Sequence, residues 1–411
     1  MKKSIVVSMA ALTLLSTQAS IGPQTITAAF RDDIKNTVEL GDDAVKGAVD
    51  KDVEKFKDIT EHWAESNINQ ALKKGYVSGY PDGSFLPNNN VTRAEFVKMT
   101  VSALDLKVGT ASGSWYTPYV DSAQAAGIYQ DGDFGDSDWN KPMTREEMSK
   151  VAVRALGISS VQDKQWMYLA ATDGIISGTA PGEISPEGKT TRAQAITVIG
   201  RVLSAEEGKK LVVDKYAVAA AEMYWHKTNI FTVAKELFNG PQNMNNNVGI
   251  NSWKLSNLTV EAPDGHVKGV VESITAIDWN DPNDPNRKLL PSKDKLVWIV
   301  GGKETQFTDD MKVYVVLLDS KLVVDKKPEL YPIKRLSLNI LGYIGTRDGI
   351  HQSTAIKSKD ASKEIYGLVI PKEGFQTKGH FQILVETIPL GALGGQLYSS
   401  TLSTSVYITT Q

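Results

Sequence analysis

Three arginines of this chain occupy the same four-residue motif, which has the pattern Thr-Arg-x-Glu/Gln. The three copies are residues 92–95, 144–147 and 191–194. The threonine and the Glu or Gln of each copy predict a capping box, in which each side chain accepts a free backbone amide at a helix start. A helix is therefore expected to begin at each motif. Capping alone explains the threonine and the Glu or Gln without any ligand.

The arginine of each motif needs a further explanation. The N-terminal end of a helix dipole is positive, so an arginine in the first turn is unfavourable unless an anion lies nearby. Free amides together with a guanidinium group form a site suited to a carboxylate or a phosphate. Because an arginine occupies this unfavourable position in all three motifs, we interpret Arg93, Arg145 and Arg192 as anion ligands rather than as solvated surface arginines.

The three motifs belong to a larger repeat. Each arginine follows by eighteen residues one of three glycines, Gly75, Gly127 and Gly174. An amphipathic segment precedes each glycine and an apolar stripe of helical spacing follows each motif, which predicts units of helix, glycine-rich loop and helix. Two short helices cannot bury their apolar faces alone, so we expect the three units to pack around one core with pseudo-threefold symmetry.

Composition limits the classes of function. The chain has 411 residues, no cysteine and a formal net charge of -3. These values exclude thiolate metal sites and cysteine nucleophiles, and they give no general attraction for nucleic acid. Lys2 and Lys3 precede a short apolar stretch, which predicts an export signal over residues 1–29, cleaved after Ala19 or Ala29. No later apolar run is long enough for a bilayer, so no membrane partner is expected in the mature form.

Several further motifs accompany the arginines in the first repeat. They are Phe56-x-Asp58, His-Trp-Ala at 62–64 and Gly-Tyr-Val-Ser-Gly-Tyr-Pro-Asp-Gly-Ser-Phe at 75–85. With these motifs, the three units resemble tandem S-layer homology domains, the modules that hold proteins on the cell wall of Gram-positive and related bacteria. The three repeats are placed at 53–106, 107–158 and 159–205, after a linker or helix at 30–52.

The resemblance implies non-covalent binding of a secondary cell-wall polysaccharide, or another glycan associated with peptidoglycan, and a secreted protein at the cell wall. The implied ligand is a terminal N-acetylmannosamine whose pyruvate ketal presents a carboxylate to the arginines. Gly79 and Gly178 match the loop glycine that lets the backbone approach the sugar, and Asp58 matches the aspartate that accepts sugar hydroxyls. Neighbouring copies in an S-layer lattice are further implied partners.

Three positions bear on which repeats bind. Trp63 and Trp115 are equivalent in the first two repeats and could stack on a sugar ring, although core packing is the favoured interpretation for a tryptophan. Repeat two has Asp131 in place of the loop glycine, and this carboxylate would repel an anionic sugar. Fewer than three working grooves are therefore expected.

The second half has a different pattern. A helical connector is predicted at 206–247, with a helical stretch over 214–238, and a β-rich part at 248–411. The predicted strands are 255–260, 267–277, 296–300, 313–318, 336–344, 365–370, 381–388 and 405–409. An antiparallel β-sandwich-like domain is favoured, with a partly closed barrel as the alternative. The expected fold class is thus an α + β multidomain protein with an all-α N-terminal trimer of units.

No known catalytic motif is present in the second half. His226, His266, His351 and His380 are scattered, and the acidic segment 278–284 is typical of a turn more than of a calcium site. We therefore predict no cofactor, no metal and no enzymatic role for the anchor. The second half is open to three interpretations: a structural S-layer module, an adhesin, or a wall-anchored enzyme.

Overall fold

The computed structural model describes residues 56–110, 112–159, 161–238, 250, 253–300, 302–331, 335–345, 354–372, 375–387 and 398–407. The predicted export signal, the linker at 30–52, residues 239–247 of the connector, His351 and the end of the last predicted strand lie outside them. Residues Lys55–Gln411 form one compact unit, and our finer domain boundaries stay a prediction. Within the described part of the chain, no helix combines the length and apolar character needed to cross a bilayer.

Each repeat contributes two helices, as the spacing predicted. The helices of the repeats are α1 Glu65–Lys74, α2 Arg93–Ala103, α3 Thr117–Ala125, α4 Arg145–Ala155, α5 Gln165–Thr172 and α6 Arg192–Glu206. All three predicted capping boxes are present, with Thr92, Thr144 and Thr191 as N-caps. Helix α1 ends at Gly75, which has a left-handed φ of 78° and closes the C-cap.

The three repeats share one hydrophobic core. Phe96, Met148 and Ile196, one from the second helix of each repeat, are fully buried in the same cluster. Such a shared core is what short amphipathic units require, because each buries its apolar stripe only against its neighbours.

Backbone hydrogen bonds also connect the repeats in a closed cycle. The residues that precede the three N-cap threonines donate in turn, from Val91 to Thr190, from Thr190 to Met143 and from Met143 to Val91, at 2.9–3.0 Å. Each repeat therefore donates one backbone hydrogen bond to one neighbour and accepts one from the other. The starts of α2, α4 and α6 are fixed relative to one another by this cycle.

The predicted helical stretch over 214–238 is helical but interrupted, because the segment forms three helices. They are α7 Lys215–His226, α8 Ile230–Val233 and α9 Lys235–Phe238. The break begins at Lys227, which adopts a left-handed φ of 58°. Thr228 then donates to the Ile274 carbonyl, and the Asn229 side chain exchanges two hydrogen bonds with the Ala276 backbone. These polar links to the sheet take the place of helical hydrogen bonds.

The C-terminal part is antiparallel, as expected. Its described strands are β1 Thr259–Glu261, β2 Val267–Asp278, β3 Leu296–Val300, β4 Lys303–Gln306, β5 Val313–Asp325, β6 Ser337–Gly345, β7 Thr354–Ser358, β8 Gly367–Pro371, β9 Phe375–Thr387 and β10 Tyr398–Tyr407. Strands β4 and β7 were not predicted. Strand β4 is exposed at all four positions, so its sequence carries no apolar alternation.

The strands form two sheets. The larger has the order β1-β2-β5-β8-β7-β3-β4 and the smaller the order β10-β9-β6. Leu338 of β6 and Ile383 of β9 lie in the same hydrophobic cluster as Val271 and Ile274 of β2. Phe231 of α8 belongs to that cluster too, so the connector is packed into the core of the β-rich part.

Candidate anion-binding grooves between the repeats

Each motif arginine extends to the glycine loop of a different repeat. Arg192 of repeat three donates to the Ser78 carbonyl in the loop of repeat one at 2.5 Å. Arg145 of repeat two donates to the Ser177 carbonyl in the loop of repeat three at 2.8 Å. Arg93 of repeat one donates to the Asp138 carbonyl in the loop of repeat two at 3.0 Å. We number the resulting grooves by the repeat whose loop lines them.

The first groove has a volume of about 570 Å³ and uses all three repeats. Its lining includes Ser78, Gly79 and Tyr80 of the loop, Glu95, Lys98 and Ser102 of α2, Trp115 of repeat two and Arg192 of repeat three. The Arg192 guanidinium lies 5.2 Å from the centre of the Tyr80 ring, and its buried Nε has no hydrogen-bond partner. Burial lowers the pKa of Arg192 from its usual value, because the charged form is partly desolvated.

The third groove repeats this design in a smaller volume of about 250 Å³. It is lined by Ser177, Gly178 and Thr179 of the loop, Gln194, Thr197 and Arg201 of α6, Trp63 of repeat one and Arg145 of repeat two. Arg145 also donates through Nε to the Ile184 carbonyl at 2.9 Å. Within the described residues, neither Arg145 nor Arg192 forms an ion pair.

Both predicted tryptophans lie at the rims of these grooves rather than in the core. Trp63 is 63% exposed and Trp115 is 50% exposed, so the favoured core-packing interpretation is wrong for both. An exposed indole beside a groove offers an apolar face that a sugar ring can cover. Lys98 lies 5.7 Å from the centre of the Trp115 ring and keeps that rim positively charged.

The second groove is filled by its own acids. Arg93 is bound by Asp136 at 2.8 Å and by Glu147, and Lys141 also donates to Asp136. The hydrogen bond from Lys141, with those from Asp138 and Arg93, holds the pKa of Asp136 well below its usual range. The prediction of Arg93 as a free anion ligand is therefore contradicted, because two internal carboxylates already neutralise its charge.

A second arginine of this groove is neutralised in the same way. Arg154 of α4 forms an ion pair with Asp133 at 3.0 Å, and both side chains are buried. Asp131, the residue that replaces the loop glycine, accepts from Gln124 at 2.7 Å and stays exposed. At the positions of Asp131 and Asp133, the other two loops carry Gly79 and Pro81, and Gly178 and Ala180.

The remaining predicted ligands have structural roles of their own. The Asp58 carboxylate accepts the Phe85 and Leu86 amides at 2.9 and 2.7 Å and so fixes the first loop. A Cβ atom at Gly79 would lie 2.0 Å from the Phe56 ring, and one at Gly178 would lie 2.8 Å from the Ala180 carbonyl. Packing alone requires these glycines, and their contact with a sugar stays a prediction.

Arg201 is a groove residue that the sequence analysis missed. It stands nine residues after Arg192, and the equivalent positions in the other repeats are Ser102 and Arg154. Aligning the three second helices beyond the capping box would have identified it, because this position changes type from repeat to repeat and lines the first and third grooves.

The junction between the connector and the sheet holds a further cavity of about 820 Å³. Its charged side chains are largely paired with one another: Lys372 binds Asp278, and Tyr314 donates to Glu236 at 2.8 Å. In the acidic segment, Asp284 accepts the Asp278 amide at 2.8 Å, which is turn geometry. No group of acids and histidines in the described residues has the arrangement needed to hold a metal.

Comparison with known proteins identifies the first and third repeats. Residues 55–97 and 166–196 match the family model of the S-layer homology domain, which confirms the resemblance. An amylopullulanase of Thermoanaerobacterium thermosulfurigenes is 32% identical over 35% of this chain and 9% of its own. An S-layer protein of Bacillus thuringiensis subsp. finitimus is 25% identical over 36% of this chain and 21% of its own.

A third relative is a cellulosome-anchoring protein of Acetivibrio thermocellus, which is 27% identical over 29% of this chain and 32% of its own. The chain spans at most 32% of the length of any of these three relatives. The similarity is therefore limited to one shared module. The relatives that contain it are an amylopullulanase, an S-layer protein and a cellulosome-anchoring protein.

Proposed function

We propose that this exported cell-surface protein is anchored non-covalently to the bacterial cell wall by its S-layer homology domains. The ligand is the anionic end of a secondary cell-wall polysaccharide, an N-acetylmannosamine with a pyruvate ketal. One observation carries the proposal: the first and third grooves each combine an arginine that has no carboxylate partner with an exposed tryptophan from another repeat.

The chemistry of each groove fits such an end group. A guanidinium fork binds a carboxylate through charge-assisted hydrogen bonds, which are about twice as strong as neutral ones. The indole covers the apolar face of the sugar ring, while the loop glycine keeps that wall of the groove free of a side chain. Binding needs no chemical turnover, so the anchor acts without catalysis.

The arrangement of the grooves supports our proposal of a pseudo-threefold trimer of units. The cyclic hydrogen bonds among Val91, Met143 and Thr190 are those that a threefold axis would generate. Such an axis places three equivalent grooves around the anchor, of which the second is closed by Asp136 and Glu147. The β-rich part, proposed as a sandwich, is then a module displayed at the surface, with neighbouring copies in an S-layer as its partners.

Co-sedimentation with purified cell-wall sacculi tests the anchor. Native protein is expected to sediment with untreated sacculi and to stay in solution when mild acid has removed the ketals. Arg145→Gln and Arg192→Gln should each weaken retention about tenfold, which corresponds to one charge-assisted hydrogen bond. Lys210→Gln, which removes an equal charge from an exposed loop, is the matched control. Unchanged retention of both arginine variants, with folding verified by circular dichroism, would contradict the proposal.

A further inference from the structure

The first and third grooves differ in charge at equivalent positions. Where the first groove has Glu95 and Ser102, the third has Gln194 and Arg201. These two changes make the third groove more positive, whereas Thr197 in place of Lys98 removes one positive charge, so the net gain is one charge. The lining of the third groove therefore carries two arginines and no carboxylate, whereas that of the first carries Arg192, Lys98 and Glu95.

The two guanidinium groups of the third groove converge on one loop residue. Arg145 donates to the Ser177 carbonyl at 2.8 Å, and Arg201 donates to the Ser177 hydroxyl and the Ile175 carbonyl, both at 3.2 Å. Their partners in the described structure are neutral oxygens, so both positive charges stay uncompensated. Burial, and then the charge of Arg201, lower the pKa of Arg145, and burial lowers that of Arg201.

In the second groove, the equivalent arginines are paired with internal acids. There Arg154, which is equivalent to Arg201, binds Asp133, and Arg93 binds Asp136 and Glu147. Two neighbouring arginines without acids are unfavourable in a partly buried groove unless an anion joins them. In the third groove the nearest carboxylate of the described residues, Asp214, accepts the Gly178 amide at 3.1 Å and forms no ion pair with either arginine, so an anion from outside the chain can supply the counter-charge.

We infer that the third groove selects an end group with two negative charges, through Arg145 and Arg201 together, whereas the first groove takes a single charge. The class of ligand is a sugar bearing a phosphomonoester or two carboxylates. A phosphoryl group carries nearly two charges above its second pKa of about 6 and offers three acceptor oxygens for two guanidinium forks. Trp63 at the rim covers the sugar that bears this group. The inference rests on the proposed function for anchoring to the wall, and in the third groove it replaces the singly charged ketal by a doubly charged end group.

Titration of the full chain with small anions tests the charge selectivity directly. With tryptophan labelled by ¹⁵N, the Trp63 and Trp115 indole signals report the third and first grooves separately. The probes are inorganic phosphate, malonate and acetate at about pH 8 and constant ionic strength, because screening by salt must not vary. Phosphate distinguishes a phosphomonoester from the paired carboxylates that malonate represents.

At Trp63, the dissociation constant for phosphate or malonate should be about tenfold lower than that for acetate, as one further charge-assisted hydrogen bond predicts. Arg201→Gln should abolish this preference and change acetate binding by less than about threefold. The matched graft, Ser102→Arg in the first groove, should create the preference at Trp115.

Any of three results would overturn the inference. The Trp63 signal could report equal affinities for all three anions, or respond to none of them. Alternatively, Arg201→Gln could weaken the binding of all three anions equally. The anchor proposal has a separate outcome. Sacculus retention that is unchanged in both Arg145→Gln and Arg192→Gln contradicts the anchor even if phosphate is selected. Anion titrations without selectivity contradict only the inference, and sacculus retention then decides the anchor.

Discussion

Arg93, Arg145 and Arg192 hold the same place in their repeats, yet the loop that each one meets decides its role. Arg93 meets Asp136 and Glu147, while the other two meet backbone carbonyls. The motif spacing predicted that the arginines would be equivalent in position, and they are. It could not predict their partners, because each partner comes from a different repeat.

Arg93 is expected to stabilise the fold rather than to bind glycan. Arg93→Met leaves the largely buried Glu147 carboxylate without its partner, which should lower the free energy of unfolding by about 3 kcal/mol. The double variant Arg93→Met/Glu147→Gln should recover much of this loss, because glutamine already serves as the capping residue at Gln194. Urea denaturation measures both.

Lys107→Met, on an exposed lysine, is the control for the arginine substitution and should leave the unfolding midpoint unchanged. If Arg93→Met were as stable as native protein, the internal ion pairs would not explain the closed second groove.

Glu222 of α7 should make stability depend on pH. Burial raises the pKa of Glu222, and hydrogen bonds from Thr232 and Phe231 lower it. The effect of burial is larger, and the resulting pKa is about 8. Because the folded pKa lies above the usual 4.5, the stabilisation is complete below about pH 4.5 and is lost as pH rises through about 8. His226 acts in the opposite sense at acid pH, since burial lowers its pKa to about 4.

The variant Glu222→Gln isolates this effect, because it has no charge to bury. Relative to native protein it should gain stability from pH 5 to pH 9, by an amount on the order of a few kcal/mol. Urea denaturation at each pH gives the difference. If the difference in free energy of unfolding between the two proteins were constant from pH 5 to pH 9, Glu222 would ionise in the folded protein as it does in water. That result would contradict the prediction.

At the scale of elements, the glycine that ends α1 illustrates local control of the fold. Gly75→Ala should lower the free energy of unfolding by about 1 kcal/mol, because alanine disfavours its left-handed φ of 78°. Gly109→Ala is the matched control. Neither glycine has an atom within 4 Å of an added Cβ, and Gly109 has an ordinary φ. Equal stability of the two variants in thermal denaturation would contradict this account of the C-cap.

Elements with local signals were predictable, and elements defined by distant partners were not. The capping boxes gave the starts of α2, α4 and α6 because threonine and its Glu or Gln partner are three residues apart. The break after α7 was missed because Thr228 and Asn229 bond to residues of β2 nearly fifty positions away. Strand β4 was missed because its four exposed residues show no alternation.

At the scale of the whole molecule, the anchor and the β-rich part are packed through the connector. Tyr224 of α7 donates to Glu146 of repeat two at 2.8 Å, while Asn229 is bonded to β2. The connector thus contacts both halves, through α7 and through the segment that follows it. Comparison of the three repeat sequences predicted the arginines that line two of the grooves. It placed Trp63 and Trp115 in the core, because one sequence does not show which repeats are neighbours in the fold.

Under the proposed function, the first and third grooves bind two glycan ends of the same wall. The second attachment is then intramolecular, and its effective concentration exceeds that of free ligand. Retention should consequently fall more steeply when both grooves are lost than when either one is.

Quantitative binding of tryptophan variants to sacculi is the most direct measurement of the central claim, because these exposed side chains contribute little to the fold. Trp63→Ala and Trp115→Ala should each reduce affinity about tenfold, as expected for loss of one stacked ring, and the double variant should reduce it by about a hundredfold or more. Val212→Ala, at another exposed apolar residue, should bind as native protein does. A folded double variant that is retained as tightly as native protein would contradict the assignment of the glycan to these grooves.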